Sequence, residues 1–107
     1  MRSRFMRLIV FFDLPVLTAI QRKDYRVFRK FLVKDGYLMM QESVYSKMVL
    51  DGSSADSAIA RLRRNKPPHG LVQVLKVTEK QYSGIVDIVG ERKESSVVDT
   101  TDRLLVL

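Results

Sequence analysis

Asp13 is the side chain whose position in this sequence most favours chemistry. It follows the apolar run at residues 6–12 and precedes Leu14 and Pro15, a turn-forming pair. A carboxylate at the end of a buried strand is exposed at the sheet edge, where it can bind a hard cation such as Mg²⁺. With water and a phosphate oxygen it would form a Mg²⁺ site suited to phosphodiester chemistry. The alternative is a turn or helix-cap aspartate.

Other catalytic groups are scarce in the sequence. There is no cysteine, and the single histidine, His69, lies in a Pro-Pro-His-Gly turn without acidic or histidine neighbours in sequence. Neither a thiolate metal site nor a Ser/His/Asp arrangement is therefore indicated, and we assign His69 no role.

The charge of the chain indicates a polyanionic partner. Nineteen Lys and Arg against twelve Asp and Glu give a formal net charge of +7 in 107 residues. Nucleic acid is the commonest such partner, because each neutralised phosphate releases condensed counterions. Charge for solubility alone is the alternative. The predicted phosphate contacts are Arg22, Arg26, Arg29 and Lys30 in a first helix and Arg61, Arg63 and Arg64 in a second.

Each basic cluster also has a simpler explanation. The first could be a solvated helix face, and the second could complement the carbonyl end of its helix. Arg2, Arg4 and Arg7 form a third group with alternate spacing, which places them on one side of an extended segment. We expect contact with the nucleic-acid backbone without reading of bases.

The first half of the chain predicts a strand, a helix and a hairpin. Residues 6–12 are apolar and rich in strand-forming side chains. Thr18 and Gln21 have the spacing of a capping box, and Gly36 can end the helix in a left-handed conformation. Residues 37–40 and 44–50 then predict two strands of a hairpin, with one long bent ribbon as the alternative.

The second half predicts a helix and a strand, followed by shorter elements. Ser53 or Ser54 can cap a second helix that ends at residues 65–70. Residues 71–77 predict a strand, residues 79–82 a short helical turn, and residues 84–89 a fifth strand. This order indicates an α+β fold, a ferredoxin-like βαββαβ sandwich with an extra C-terminal strand.

This architecture leaves one sheet face without helices, so we expect a homodimer in which a second copy covers it. Residues 1–90 form the predicted domain, and residues 91–107 form a tail that docks the dimer or a partner. Apolar residues are unusual at a chain terminus, and they suggest strand addition to another surface or to the chain's own domain. They are Leu104, Leu105, Val106 and Leu107.

Three motifs together resemble a known family. They are Met-Arg-Leu-Ile-Val-Phe-Phe-Asp-Leu-Pro from residue 6, Tyr-Arg-Val-Phe-Arg-Lys-Phe-Leu from residue 25, and Gln-Glu-Ser-Val-Tyr-Ser-Lys from residue 41. They are similar to the small CRISPR-associated endoribonuclease family, and Val-Thr-Glu-Lys-Gln-Tyr from residue 77 resembles the variant of Cas9-type (type II) systems.

The resemblance implies a ferredoxin-like homodimer that bridges two dimers of a larger integrase subunit and holds duplex prespacer DNA by its phosphates. It implies that Asp13 is a metal ligand, with Ser43 and Tyr45 in the segment that follows it in the site. It also implies that the four terminal apolar residues dock the integrase subunit. Catalysis by this chain would then be dispensable for spacer integration.

The expected function is therefore a DNA-binding structural subunit of CRISPR adaptation, working in the cytoplasm. The alternative is a Mg²⁺-dependent endonuclease that cuts RNA or DNA with Asp13 as metal ligand. An RNA-recognition module is disfavoured, because residues 43–50 contain one aromatic residue and no Gly-Phe pair. A toxin-like interferase with the same fold stays open. The longest apolar runs are too short to cross a membrane.

Overall fold

A computed structural model describes residues 5–90 of the chain. Four strands and three helices lie within these residues, and they follow the predicted ferredoxin-like order with a short helix after the last strand. The elements are β1 (Met6–Asp13), α1 (Ala19–Lys34), β2 (Leu38–Gln41), β3 (Val44–Val49), α2 (Gly52–Arg64), β4 (Leu71–Thr78) and α3 (Glu79–Tyr82).

The strands form one antiparallel sheet in the order β2-β3-β1-β4. β1 is therefore central, and Val10 of β1 lies opposite Tyr45 of β3 and Val74 of β4. Residues in such a row share a sheet face. Val10 and Tyr45 pack in the core with Phe28 of α1 and Leu62 of α2, so both helices cover this face.

The ends of α1 match the signals in the sequence. The Thr18 hydroxyl accepts a hydrogen bond from the Gln21 backbone at 3.1 Å, and the Gln21 side chain accepts one from the Thr18 backbone at 3.0 Å. At the other end, Gly36 has φ +97°, a left-handed conformation that glycine adopts without steric cost. The predicted capping box and helix stop are both confirmed.

The N-cap of α2 differs from the prediction. Asp51, not Ser53 or Ser54, is the N-cap residue, and its Oδ1 accepts a hydrogen bond from the Ser54 backbone at 2.8 Å. Hydrogen bonds from Ser54 hold the pKa of the Asp51 carboxyl below its usual value. A carboxylate also suits the positive end of the helix dipole.

Phe12 lies at the centre of an aromatic cluster that joins β1 to α1 and β3. Its ring centroid is 5.3 Å from that of Phe28, 5.7 Å from that of Tyr45 and 5.9 Å from that of Tyr25. Edge-to-face and stacked pairs of this kind fix the relative position of the elements that carry them. The cluster therefore fixes the position of α1 relative to the end of β1.

Asp35, just after α1, links three elements by charge. The Arg61 Nε of α2 donates a hydrogen bond to Asp35 Oδ1 at 2.9 Å, and the Lys47 Nζ of β3 lies 3.6 Å from Asp35 Oδ2. Lys47 Nζ also donates to the Asp35 backbone carbonyl and lies 5.5 Å from the ring centroid of Tyr37. Burial, followed by the Asp35 charge, raises the pKa of Tyr37 to about 12.

The sheet face opposite α1 and α2 is largely apolar. Leu38, Ser46, Ile9 and Leu75 form one row across the four strands, and Leu38 and Leu75 are about half exposed. At one end of this face, the Arg7 Nε lies 2.6 Å from the Glu79 carboxylate and ties α3 to the sheet.

The expected fifth strand at residues 84–89 does not form. These residues are irregular, and Val86, Ile88 and Val89 are mostly exposed. They have strand-forming side chains but pair with no strand within residues 5–90, and strand propensity alone does not make a ladder. Arg2, Arg4, the predicted tail at 91–107 and its four apolar residues lie outside the described residues.

Candidate functional site

Asp13 is placed by the two strands that flank β1. It is the last residue of β1 and lies opposite Leu71 of β4. On the other side, the Phe12 backbone donates a hydrogen bond to the Ser43 carbonyl at 3.1 Å, which brings the β2–β3 turn beside the end of β1. The Asp13 side chain is exposed, as expected at the end of a buried strand.

A cavity of about 440 Å³ opens beside Asp13. The cavity is open to solvent and is bordered by the β1–α1 loop, the first turns of α1 and the β2–β3 turn. Its size lies within the range of small-ligand sites. The residues that line it are Asp13, Leu14, Val16, Arg22, Tyr25, Arg26, Glu42 and Ser43.

The α1 arginines near this cavity differ in how they are held. The Arg22 Nη1 donates hydrogen bonds to the backbone carbonyls of Val16 at 3.2 Å and Leu17 at 3.0 Å. One α-helical turn beyond Arg26, the Arg29 Nε donates to the buried Tyr45 hydroxyl at 3.0 Å. Arg26 makes no hydrogen bond or ion pair within residues 5–90, so its guanidinium donors are available to a ligand.

Two carboxylates share the cavity with two guanidiniums, yet no ion pair joins them within the described residues. The side-chain carboxylates of Asp13 and Glu42 also accept no hydrogen bond within residues 5–90. Mg²⁺ is commonly held by one or two carboxylates together with water and phosphate oxygens. The donor set therefore fits Mg²⁺, although no group of three or more His, Cys, Asp or Glu side chains forms in the part of the chain described.

Comparisons with known proteins agree on one family. The model of the family described as CRISPR associated protein Cas2 matches residues 6–85. The chain belongs to the Cas2 family.

Named relatives extend this similarity over nearly the whole chain. A CRISPR-associated endoribonuclease Cas2 of Treponema denticola is 54% identical over 102 residues, covering 95% of this chain and 100% of the relative. The protein of the same name from Streptococcus mutans is 46% identical, covering 95% and 93%. The family resemblance stated from the sequence is confirmed, and the Streptococcus relative agrees with the Cas9-type variant.

A solved structure supports the fold independently. The match to a chain described as the crystal structure of Cas2 has a TM-score of 0.57 at 19% identity and covers 92% of this chain and 99% of that one. At this identity the likeness supports the fold alone. It agrees with the ferredoxin-like α+β architecture predicted from the sequence.

The structure separates the seven predicted phosphate contacts of this Cas2 chain. Arg22 and Arg26 line the cavity beside Asp13, whereas Arg61 is joined to Asp35. Arg63 lines a different cavity of about 490 Å³ between α2 and β4. Exposed positions outside the Asp13 cavity are held by Arg29, Lys30 and Arg64.

Four residues that line the cavity were not predicted as site residues from the sequence, namely Leu14, Val16, Tyr25 and Glu42. Tyr25 and Glu42 lie inside two of the motifs that carry the family resemblance, but nothing in those motifs marked them as site residues, and strand pairing brings Glu42 to the cavity. Ser43 lines the cavity, whereas Tyr45 is buried in the core, and its hydroxyl accepts a hydrogen bond from Arg29, which lies outside the cavity. No helix within residues 5–90 has the length and hydropathy to cross a membrane.

Proposed function

We propose that this Cas2-family chain is the DNA-binding structural subunit of CRISPR adaptation. It works in the cytoplasm as a homodimer that bridges dimers of the larger integrase subunit. It holds duplex prespacer DNA by its phosphates. The observation that carries the proposal is the row of α1 arginines, in which Arg26 has no hydrogen-bond or ion-pair partner within residues 5–90 and lies between the anchored Arg22 and Arg29.

The arginine row suits a phosphate backbone for a physical reason. Within residues 5–90, the hydrogen-bond acceptors of the Arg22 and Arg29 side chains are neutral oxygens, so these contacts do not offset the guanidinium charge. Guanidinium groups bind phosphate in bidentate geometry, and such contacts position a duplex without reading its sequence. Affinity should therefore depend strongly on salt and weakly on sequence.

The duplex contact is tested with Arg26→Gln. Fluorescence anisotropy of a labelled duplex is followed at several salt concentrations for the wild-type protein and the variant. Each phosphate contact contributes about 0.9 to the slope of log affinity against log salt, so the variant should lose about one unit of slope. Lys76→Gln removes one exposed charge elsewhere and is the matched control. Equal slopes for Arg26→Gln and wild type would contradict the proposal.

The proposed dimer uses the open sheet face. Half-exposed Leu38 and Leu75 flank buried Ile9 in one row of that face, and a second copy would remove the two leucines from water. Leu75→Glu should give a monomer in sedimentation analysis because it buries a charge in the interface. Leu17→Glu, on the highly exposed residue before α1, should leave the dimer intact. A wild-type monomer would reject the dimer.

A second candidate function is a Mg²⁺-dependent endonuclease at the Asp13 cavity. It is favoured by the carboxylates of Asp13 and Glu42, which form no ion pair in the described part of the chain and line the same cavity as Arg22 and Arg26. The two carboxylates would hold the ion, which when bound stabilises charge on a phosphate and lowers the pKa of bound water. The arginines would bind the phosphate, and Ser43 would supply a hydroxyl. RNA is the first substrate to test, because the relatives are named endoribonucleases.

Asp13→Asn separates the two functions. Cleavage of labelled RNA and DNA in Mg²⁺ should be lost in this variant and in chelator, while the salt-dependent duplex affinity should persist. Asp56→Asn, on a residue outside the cavity, is the matched control. Cleavage that survives in Asp13→Asn, or is absent from highly purified wild type, would reject the nuclease.

A further inference from the structure

The α2–β4 loop is in close contact with the backbone that carries Asp13. A Cβ atom on Gly70 would lie 2.7 Å from the Asp13 carbonyl oxygen and 2.8 Å from the Leu14 Cδ2. Both distances are shorter than van der Waals contacts of carbon allow. Gly70 also has φ +94°, a conformation that side chains other than glycine rarely adopt. A side chain at residue 70 must therefore displace the Asp13–Leu14 peptide or the loop.

The same loop contacts the chain beyond Asp13. A small cleft is lined by Pro67 and His69 of the loop, Leu14 and Pro15 of the β1–α1 turn, and Gln21 and Asp24 of α1. Since Leu71, the next residue after Gly70, pairs with Asp13, the loop fixes Asp13 from the β4 side. The β2–β3 turn, which carries Glu42 and Ser43, fixes it from the other.

We propose that Gly70 is a positioning residue for Asp13, because only a residue without a side chain lets the α2–β4 loop lie against the Asp13 carbonyl. The inference rests on the second candidate function for its catalytic consequence. The two carboxylates of the cavity come from β1 and from the β2–β3 turn, so a shift of Asp13 changes their separation. Arg22 is held by the β1–α1 loop, but Arg26 makes no hydrogen bond to that loop within residues 5–90, so substrate binding should change less than catalysis.

Gly70→Ala and Gly36→Ala form a matched pair. Both glycines have positive φ, so alanine introduces a similar backbone strain at each. At Gly36, however, the added Cβ would meet only the end of the Lys47 side chain at 3.5 Å, an ordinary contact. Comparing the two variants separates the effect of displacing Asp13 from the effect of backbone strain at a positive φ.

The first measurement is structural and independent of activity. Backbone amide resonances of Asp13 and Leu14 should move in Gly70→Ala and stay in place in Gly36→Ala. The second is kinetic: kcat for Mg²⁺-dependent cleavage should fall at least tenfold in Gly70→Ala with KM within twofold of wild type. Unchanged Asp13 resonances, or unchanged kcat, in a folded Gly70→Ala protein would overturn the proposal.

The proposal can still be tested if wild type does not cleave nucleic acid or if Gly70→Ala does not fold. If wild type does not cleave, the nuclease proposal fails on that measurement, and the amide resonances alone decide whether Gly70 positions Asp13. If Gly70→Ala does not fold, Pro67→Gly loosens the loop without a collision. A severalfold loss of kcat with broadened Asp13 resonances would then support the positioning role, and wild-type values would overturn it.

Discussion

Removing the charge of Asp35 should destabilise the fold well beyond the loss of a surface ion pair. Asp35→Asn keeps the size of the side chain but leaves Arg61 and Lys47 without their shared anion. Exposed ion pairs contribute about 0–1 kcal/mol, and removing one partner of a buried pair costs about 3–5 kcal/mol. The Asp35 side chain is 16% exposed. We therefore expect a loss of about 2 kcal/mol in the free energy of unfolding.

Thermal and urea unfolding measure this loss. A destabilisation of about 2 kcal/mol lowers the melting temperature by about 8–16 °C in a domain of this size. Asp56→Asn is the control, because Asp56 is 77% exposed and lies 4.0 Å from Lys76. It should cost less than about 0.5 kcal/mol.

A double-mutant cycle identifies the partner of Asp35. Arg61→Gln, alone and combined with Asp35→Asn, should give a coupling energy of about 1 kcal/mol. The reasoning is refuted if Asp35→Asn unfolds like Asp56→Asn, or if the two substitutions are additive.

Three further substitutions test the fold. Thr18→Ala should cost about 1 kcal/mol in urea unfolding by removing the capping box, and a cost below that of Thr78→Ala at the four-residue α3 would contradict this. Phe12→Ala should cost about 3–5 kcal/mol by emptying the aromatic cluster, and a loss under 1 kcal/mol would show that Phe12 is not central. With the pKa of Tyr37 raised from 10.0 to about 12, the unfolded chain loses this proton first, so stability should fall between pH 10 and 12. Because Tyr37→Phe has no phenol proton to lose, its free energy of unfolding should fall by about 2–3 kcal/mol less than that of wild type over this pH range. Identical pH profiles for the two proteins would exclude the assignment.

Local signals were sufficient for most elements of the fold. Thr18 and Gln21 begin α1, and Gly36 ends its last turn, because each acts within a few residues of its own backbone. The cap of α2 was harder to predict, since Asp51, Ser53 and Ser54 are all good N-cap residues in one short segment. In the structure, the hydrogen bond from the Ser54 backbone to the Asp51 carboxylate identifies Asp51 as the N-cap residue.

Non-local pairing explains what the sequence did not reveal. Residues 84–89 have strand-forming side chains, but a strand also needs a hydrogen-bonded neighbour, which local sequence cannot specify. Asp13 was identifiable because it ends an apolar run. Glu42 was not, because its approach to Asp13 depends on the register of β3 against β1.

The partners of the arginines distinguish fold-stabilising charges from those suited to a ligand. Arg61 is neutralised by Asp35, so its positive charge contributes little to attraction of a distant phosphate. Arg22 and Arg29 are held by backbone carbonyls and a tyrosine hydroxyl, which order the guanidinium without cancelling its charge. An ordered cation loses less side-chain entropy when it binds, so these contacts favour phosphate binding. It follows that Arg61→Gln should lower stability more than duplex affinity, whereas Arg22→Gln should do the reverse. If Arg61→Gln weakened duplex binding as much as Arg22→Gln, net charge alone would govern affinity and the anchoring of the α1 arginines would have no functional consequence.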